Sequence, residues 1–241
     1  MAVQVCGALF VTQEPLLGYN PIHQLLQLSS KGRVLNMQAL LFEMEPRDGH
    51  EDHYFRHATK LRPIVMQHEG LIFLERFKSL SRPKVILSHS LWRDEASIAR
   101  WRTDREHQKS QVAGRFEHFK DYRIRISHTL RYKKPDTEAE VWSSDGSYSA
   151  PHRTTDRFVI ILRSLNQLTT QEGETFASVT EPKSFLSIIN AANEADGQAK
   201  FEETLYNSSL LSVVLARVSR DYGMYDRDEA PQYFETVDKG E

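Results

Sequence analysis

The sequence has a single cysteine, Cys6, in 241 residues. One thiol can form neither an internal disulfide nor a cysteine-rich zinc site, and the composition suits a reducing, cytoplasmic setting. An excess of charge of either sign is also missing. Lys and Arg number 31, Asp and Glu 33, for a formal net charge of −2. A dedicated nucleic-acid binder carries a basic excess that neutralises phosphates, so no nucleic-acid partner is expected. No run approaches the ~20 consecutive apolar residues of a membrane-spanning helix, and no membrane partner is expected either. The N-terminal MAVQVCGALFVTQEPLLG has no Lys or Arg ahead of its short apolar run, which makes a poor signal peptide. G-x-S-x-G, the P-loop, G-x-G-x-x-G and H-E-x-x-H do not occur. No flavin, nicotinamide or zinc-hydrolase fingerprint is therefore present.

What remains is a moderately polar globular chain, 39% apolar and 27% charged. Its length fits one large domain or two small ones. Residues 1–36 hold only Lys31, Arg33 and Glu14 as charges. They read as an unstructured N-terminal extension ahead of Met37. From there the pattern is regular. Gln38–Met44 (QALLFEM) reads as a strand. Asp48 and Glu51 have the spacing of a capping box, and Tyr54, Ala58, Leu61 and Val65 form one helical stripe. Pro63 predicts a kink or break in that helix, and Gly70 a stop. Leu71–Phe77 and Val85–Trp92 read as a hairpin. Asp94 opens a helical stretch that Gly114 divides, and Tyr122–Thr129 alternates as a fourth strand. The order β-α-β-β-α-β over residues 37–133 is the ferredoxin-like pattern. Its sheet has helices on one face only, and the other face needs a cover, which a second sheet supplies most naturally.

Residues 134–156 are rich in Ser, Thr, Asp and Pro and read as a linker. Residues 157–223 repeat part of the first unit, in the order β-β-α-β. Phe158–Ser164 parallels the second strand and Thr175–Thr180 the next. Glu181-Pro182 opens a helix through about Asn193, and Leu210–Ser219 parallels the fourth strand. This second unit reads as a truncated ferredoxin-like unit without its first strand and first helix. Residues 224–241 read as an irregular tail.

The runs KLRP (Lys60–Pro63), ERFKSL (Glu75–Leu80), LWRDEAS (Leu91–Ser97), WRTDREHQKSQVAGR (Trp101–Arg115) and FKDYRIRI (Phe119–Ile126) stand in order. Together they make residues 38–128 resemble the antibiotic biosynthesis monooxygenase (ABM) superfamily. The resemblance implies an α+β fold, the ferredoxin-like dimeric α+β barrel, in which two sheets pack together. The partner sheet would come from a homodimer or, as an internal pseudo-dimer, from the second half of the chain. It also implies a cavity for a small-molecule substrate and an oxidoreductase, a monooxygenase acting on an aromatic or polyketide-like compound. Cofactor-free members of that superfamily let the substrate carbanion reduce oxygen, so no cofactor is the default. Haem-degrading members make haem the other candidate. Those members ligate haem through a helix histidine and carry an asparagine on the first strand, where Leu40 stands here. A non-catalytic binding or assembly protein on the same barrel is the alternative from a different class, because fold alone does not license an activity.

His107 is the first candidate, as catalytic base, with Arg123 stabilising the resulting anion. The plainer reading of His107 and Gln111, four apart, is a structural hydrogen bond on one helix face. Trp101, Gln111, Trp92 and Arg125 are candidate ligand-binding residues, and both tryptophans read equally as core. Arg123 and Arg125 alternate with Tyr122, Ile124 and Ile126, so they face the opposite side of the sheet. An ion-pair network with Glu43 or Glu75 is the other role for them. His50, His53 and His57 share a sector of the first helix. A straight helix spreads the outer two over about 10.5 Å of rise, too far to ligate one ion of ~2.1 Å bond length together. No metal site is expected.

Overall fold

The computed structural model describes residues 37–141, 157–168 and 173–239, all within the unit Val34–Glu241. The extension at 1–36 and most of the linker, 142–156, lie outside the described residues.

Strand β1 (Gln38–Pro46) alternates as its sequence dictates. It sends Leu40 and Phe42 to the helix side of the sheet and Glu43 to the other. Helix α1 (Glu51–Met66) follows. His50, not Asp48, is its N-cap, without a side-chain bond. The expected capping box does not form, because Asp48 accepts instead from Lys84 Nζ at 2.6 Å. Pro63 does not break the helix, which runs on to Met66. Gly70 adopts φ +96°, and a Cβ there would sit 2.1 Å from Ser97 Oγ. Glycine is therefore required for the chain to enter β2 beside the second helix.

Strands β2 (Leu71–Ser79) and β3 (Ile86–Trp92) form the hairpin. The helical stretch after Asp94 is split at Asp104 rather than at Gly114. Asp94 caps α2 (Glu95–Thr103) by accepting from Ser97 N at 2.7 Å. Asp104 caps α3 (Arg105–Ala113) by accepting from Glu106 N and His107 N, each at 3.0 Å. A carboxylate takes up free N–H groups at a helix start, so this aspartate begins a new helix. Gly114 instead opens a π-helical turn, Gly114–His118, that delivers the chain into β4 (Phe119–Lys133). β5 (Glu140–Val141) adds a short pairing to β4.

The second half contains β6 (Phe158–Ser164), β7 (Gly173–Ser178), β8 (Phe185–Ala191), α4 (Glu194–Thr204) and β9 (Leu210–Gly223). The helix expected from Glu181 to Asn193 is a correction. FLSIINA is a strand, and Pro182 lies in the turn before it, next to Lys183 at φ 62°. An apolar run rich in isoleucine, paired on both edges with β6 and β7, favours the extended state over a helix. α4 begins only at Asn193, whose side chain accepts from Asp196 N.

β6 pairs with β8 and β9 as β1 pairs with β3 and β4. It therefore occupies the first-strand place, and the second half has four strands rather than three. Among the described residues α1 has no counterpart between β6 and β7. The strand order β1-β3-β2-β7-β8-β6-β9-β4 returns to β1 through the β1–β4 pairing. Eight of the described strands thus close a barrel, and one chain supplies both sheets.

Inside the barrel, charge is paired. Arg125, 4% exposed, meets Glu43 at 2.6 Å, and Arg163 meets Glu75 at 2.7 Å while stacking over the Phe73 ring. Outside, α4 seats Phe201 against Phe158, Ile160, Leu162, Val213 and Leu215. Phe201→Ala is expected to lower unfolding free energy by about 3–5 kcal/mol, the cost of emptying a fully buried aromatic site. Urea denaturation measures it. A loss below about 1 kcal/mol would mean that α4 is not seated on this sheet.

Candidate functional site

Helices α1, α2 and α3 roof the other half of the barrel, and between them and the sheet lies a cavity of about 210 Å³. Leu40, Leu74, Ile124 and Ile126 supply apolar wall from the strands, and Ala58, Leu61 and Val65 from α1. The alternation of β4 determines this. Its Tyr122, Ile124 and Ile126 face the cavity, while Arg123 and Arg125 face the opposite side.

His107, Trp101, Gln111 and Trp92 all line the cavity. The His107 ring stacks on Trp101 at 4.1 Å between centroids, with 12° between planes. Its Nδ1 lies 2.9 Å from the Trp101 carbonyl oxygen. A carbonyl can only accept, so this contact assigns the hydrogen to Nδ1 and the lone pair to Nε2. Burial brings the imidazole pKa down to about 4, against a smaller opposing pull from the same carbonyl and from Asp104. At neutral pH His107 is an uncharged ring with a free Nε2 lone pair. Gln111 is held by a donation from its Nε2 to the Arg102 carbonyl, and the same nitrogen lies 3.1 Å from His107 Nδ1. Trp92, 1% exposed, is both core and wall, and its Nε1 donates to Ser90 Oγ.

Arg123 and Arg125 do not join this group. Arg123 donates to both Asp221 oxygens, at 2.8 and 2.7 Å, and Arg125 is bound to Glu43. The expected pair of His107 as base and Arg123 as anion stabiliser is therefore corrected, because the sheet stands between them. Arg125 takes the expected ion pair with Glu43, whereas the partner of Arg123 is Asp221 rather than Glu43 or Glu75.

His118 comes from the π-helical turn to meet the first-helix histidines. Its ring centroid is 5.2 Å from that of His50, 5.0 Å from His53 and 5.6 Å from His57. Burial, together with those three neighbours, lowers the pKa of His118. Among the described residues no three His, Cys, Asp or Glu side chains are arranged to hold a metal ion. The cavity measures about 210 Å³, and Leu40 of β1 stands in its wall.

Sequence reasoning missed the tail. Arg115, 1% exposed, donates to the carbonyls of Met224 and Glu235, each at 2.7 Å. Those bonds strap residues 224–235 over α3, and Gln232 Nε2 donates to Gln111 Oε1 at 2.7 Å. Gln232 and Phe234 thereby become cavity wall, as do Tyr222 from β9 and the arginines Arg76, Arg102 and Arg227. The signal for Arg76 was its place two residues after Leu74 on β2. No local pattern marks the tail.

No described helix is long and apolar enough to cross a membrane. A family model described as antibiotic biosynthesis monooxygenase matches residues 37–113. The chain is 31% identical over 211 residues to jasmonate monooxygenase ABM of Pyricularia oryzae, spanning 82% of this chain and 98% of that protein. Among solved structures it is similar to a putative monooxygenase from Lactobacillus acidophilus NCFM, at 9% identity and TM-score 0.38, over 77% of this chain and 95% of that one. A protein from Pseudomonas aeruginosa matches at 14% identity and TM-score 0.38, over 41% of this chain and 99% of its own.

The histidines give a pH prediction. His89, inside the barrel, is depressed to about 3 by burial and by the nearby Arg163, and His107 to about 4. Unfolded, both titrate near 6.5. Below that value the unfolded chain binds protons that the folded chain refuses, so stability falls as pH drops from 6.5 toward 4. Denaturation midpoints across that window are expected to fall less steeply in His107→Gln than in the wild type. Parallel slopes would show that His107 is not held neutral by the fold.

Proposed function

We infer function from one premise: this chain belongs to the antibiotic biosynthesis monooxygenase family. We propose that it oxidises a small, mainly apolar compound in the cavity beneath α1, α2 and α3, without a redox cofactor, and with one such site per chain. The observation that carries this reading is the His107 tautomer. Nδ1 is committed to the Trp101 carbonyl, so Nε2 is the basic atom left for a ligand in a largely apolar space.

In the proposed reaction, Nε2 takes a proton from a carbon made acidic by an adjacent carbonyl or aromatic ring. The resulting carbanion passes its electrons to dioxygen. Over the whole reaction a CH₂ group and O₂ become C=O and H₂O. The four electrons that O₂ accepts all come from the substrate carbon, and no external reductant enters. Imidazolium then returns its proton to the peroxide oxygen before water leaves. Trp101 holds the imidazole plane, and the apolar walls keep bulk water from quenching the carbanion. The related fungal protein is named for jasmonate. A substrate of that small, mainly apolar kind suits a cavity of this volume.

Oxygen uptake tests the reading, with jasmonate and an anthrone as probes. Wild type is expected to consume oxygen with at least one of them in the absence of added flavin, nicotinamide or haem. His107→Gln is expected to lose about 10²–10⁴-fold in turnover. Full turnover in the variant would remove His107 as the base. Uptake that appears only with an added cofactor would remove the cofactor-free route.

A further inference from the structure

We propose that the cavity beneath α1, α2 and α3 is built to hold an organic carboxylate, with the Arg102 guanidinium as its anchor. The proposal rests on the oxygenase reading only for the identity of this cavity as the substrate's. It deepens that reading by assigning the residue that would hold an acid group of the substrate.

Among the described residues the wall of the cavity contains three arginines, Arg76, Arg102 and Arg227, and no Asp or Glu. Two of the three are occupied by neutral oxygens. Arg76 Nε donates to the Tyr54 hydroxyl at 3.1 Å. Arg227 donates to the Tyr122 hydroxyl at 3.0 Å and to the Gln232 carbonyl at 2.9 Å. Arg102 differs. Its guanidinium makes no hydrogen bond or ion pair among the described residues, although its Nη1 is buried. Four other arginines also hold a buried nitrogen without a partner, and each of them has a carboxylate on another nitrogen. Arg125 has Glu43, Arg131 has Glu202, Arg157 has Glu229 and Arg163 has Glu75. Arg115, 1% exposed, has backbone carbonyls in place of an acid. Arg102 Nη1 has neither among the described residues, and the space beside it is the cavity.

Arg102 as a whole is half-buried, so the cost falls on Nη1, a donor held out of water without an acceptor, which a ligand carboxylate would satisfy. The planar fork of arginine matches two carboxylate oxygens. Tyr222 adds a neutral donor. Burial pushes its hydroxyl up to about 12, while the charges of Arg220, Arg102 and Arg227 pull the other way. The remaining walls, with Leu74, Ile98, Trp101 and Ile126, suit an apolar body behind the acid group. Placement in the last turn of α2 accounts for a positive side chain there, through the helix dipole. It does not account for turning Nη1 out of water.

The test is binding without turnover. Purified full-length protein is titrated by calorimetry with 1-naphthylacetate and, separately, with its neutral isostere 1-naphthylacetamide. The acid is expected to bind at least about tenfold more tightly than the amide, the scale of one charge-assisted pair. Arg102→Gln is expected to abolish that preference with its melting temperature retained, and Arg102→Lys to restore part of it. Equal affinity for acid and amide, no measurable binding of the acid, or a preference that survives in Arg102→Gln overturns the proposal. If the glutamine variant does not fold, the acid–amide comparison on wild type and on Arg102→Lys still decides it. Because oxygen plays no part, this outcome is separate from the fate of His107 as base.

Discussion

The two-residue period of β4 is the constraint on which the rest of the molecule depends. It places Tyr122, Ile124 and Ile126 against the helices and Arg123 and Arg125 toward the other face. It does so while pairing with β1 along one edge and β9 along the other. A slip of one residue would drive two guanidinium groups into the apolar cavity and two isoleucines among the ion pairs. Glu43 of β1 opposes such a slip from the neighbouring strand. It accepts from Arg125 at 2.6 Å and from Arg82 at 2.6 Å, so the register of β1 against β4 is tied to a carboxylate with two positive partners. A buried ion pair of this kind is weak evidence for net stability, because desolvation offsets the attraction. Its stronger effect is to make the wrong register expensive.

The described helices are divided unequally between the halves. Three stand on the sheet of the first half, over the cavity. Among the described residues the second has α4, and Phe201 from that helix fills its contact with β6 and β9. The halves share a strand order yet differ in purpose: one encloses the cavity, and the other mainly closes the sheet. The second half still reaches the site, through Tyr222 at the end of β9 and through the tail that Arg115 straps across α3.

Much of this was legible in the residues. QALLFEM reads as an apolar strand and YRIRISHT as an alternating one, and with the helix and hairpin between them they give the split βαββαβ order. His107 and Gln111 fall on one helix face at a spacing of four, which places them together before any coordinates exist. The failures have physical causes as well. Asp104 was passed over as a helix break, although an aspartate that can accept two backbone N–H groups starts a helix as readily as a glycine ends one. FLSIINA was read through its preceding proline, when isoleucine and a place between two strands decide its state. Arg102 and Arg227 gave no signal, because an arginine late in a helix or in a tail is ordinarily solvated. Whether a guanidinium has a counter-ion is a property of the packed chain. The tail was illegible for the same reason, since its order comes from Arg115 and not from any pattern of its own.

His107 and the arginines are best understood together. An imidazole with a pKa near 4 is a weak base, and a general base works best with a pKa close to the working pH. Burial nevertheless keeps it deprotonated at neutral pH, so the lone pair is always present. What such a base lacks in strength must come from the acidity of the carbon. Positive groups fixed in a water-poor space supply that, because they stabilise the anion formed more than the neutral molecule it comes from. Arg102, Arg76 and Arg227 impose such a field, with no carboxylate in the wall to cancel it. In the proposed chemistry the low basicity of His107 and the unopposed guanidinium groups are two halves of one arrangement. Strengthening the base by placing an acid beside it would neutralise the field that makes the carbon acidic, and the absence of Asp and Glu from the wall avoids that conflict.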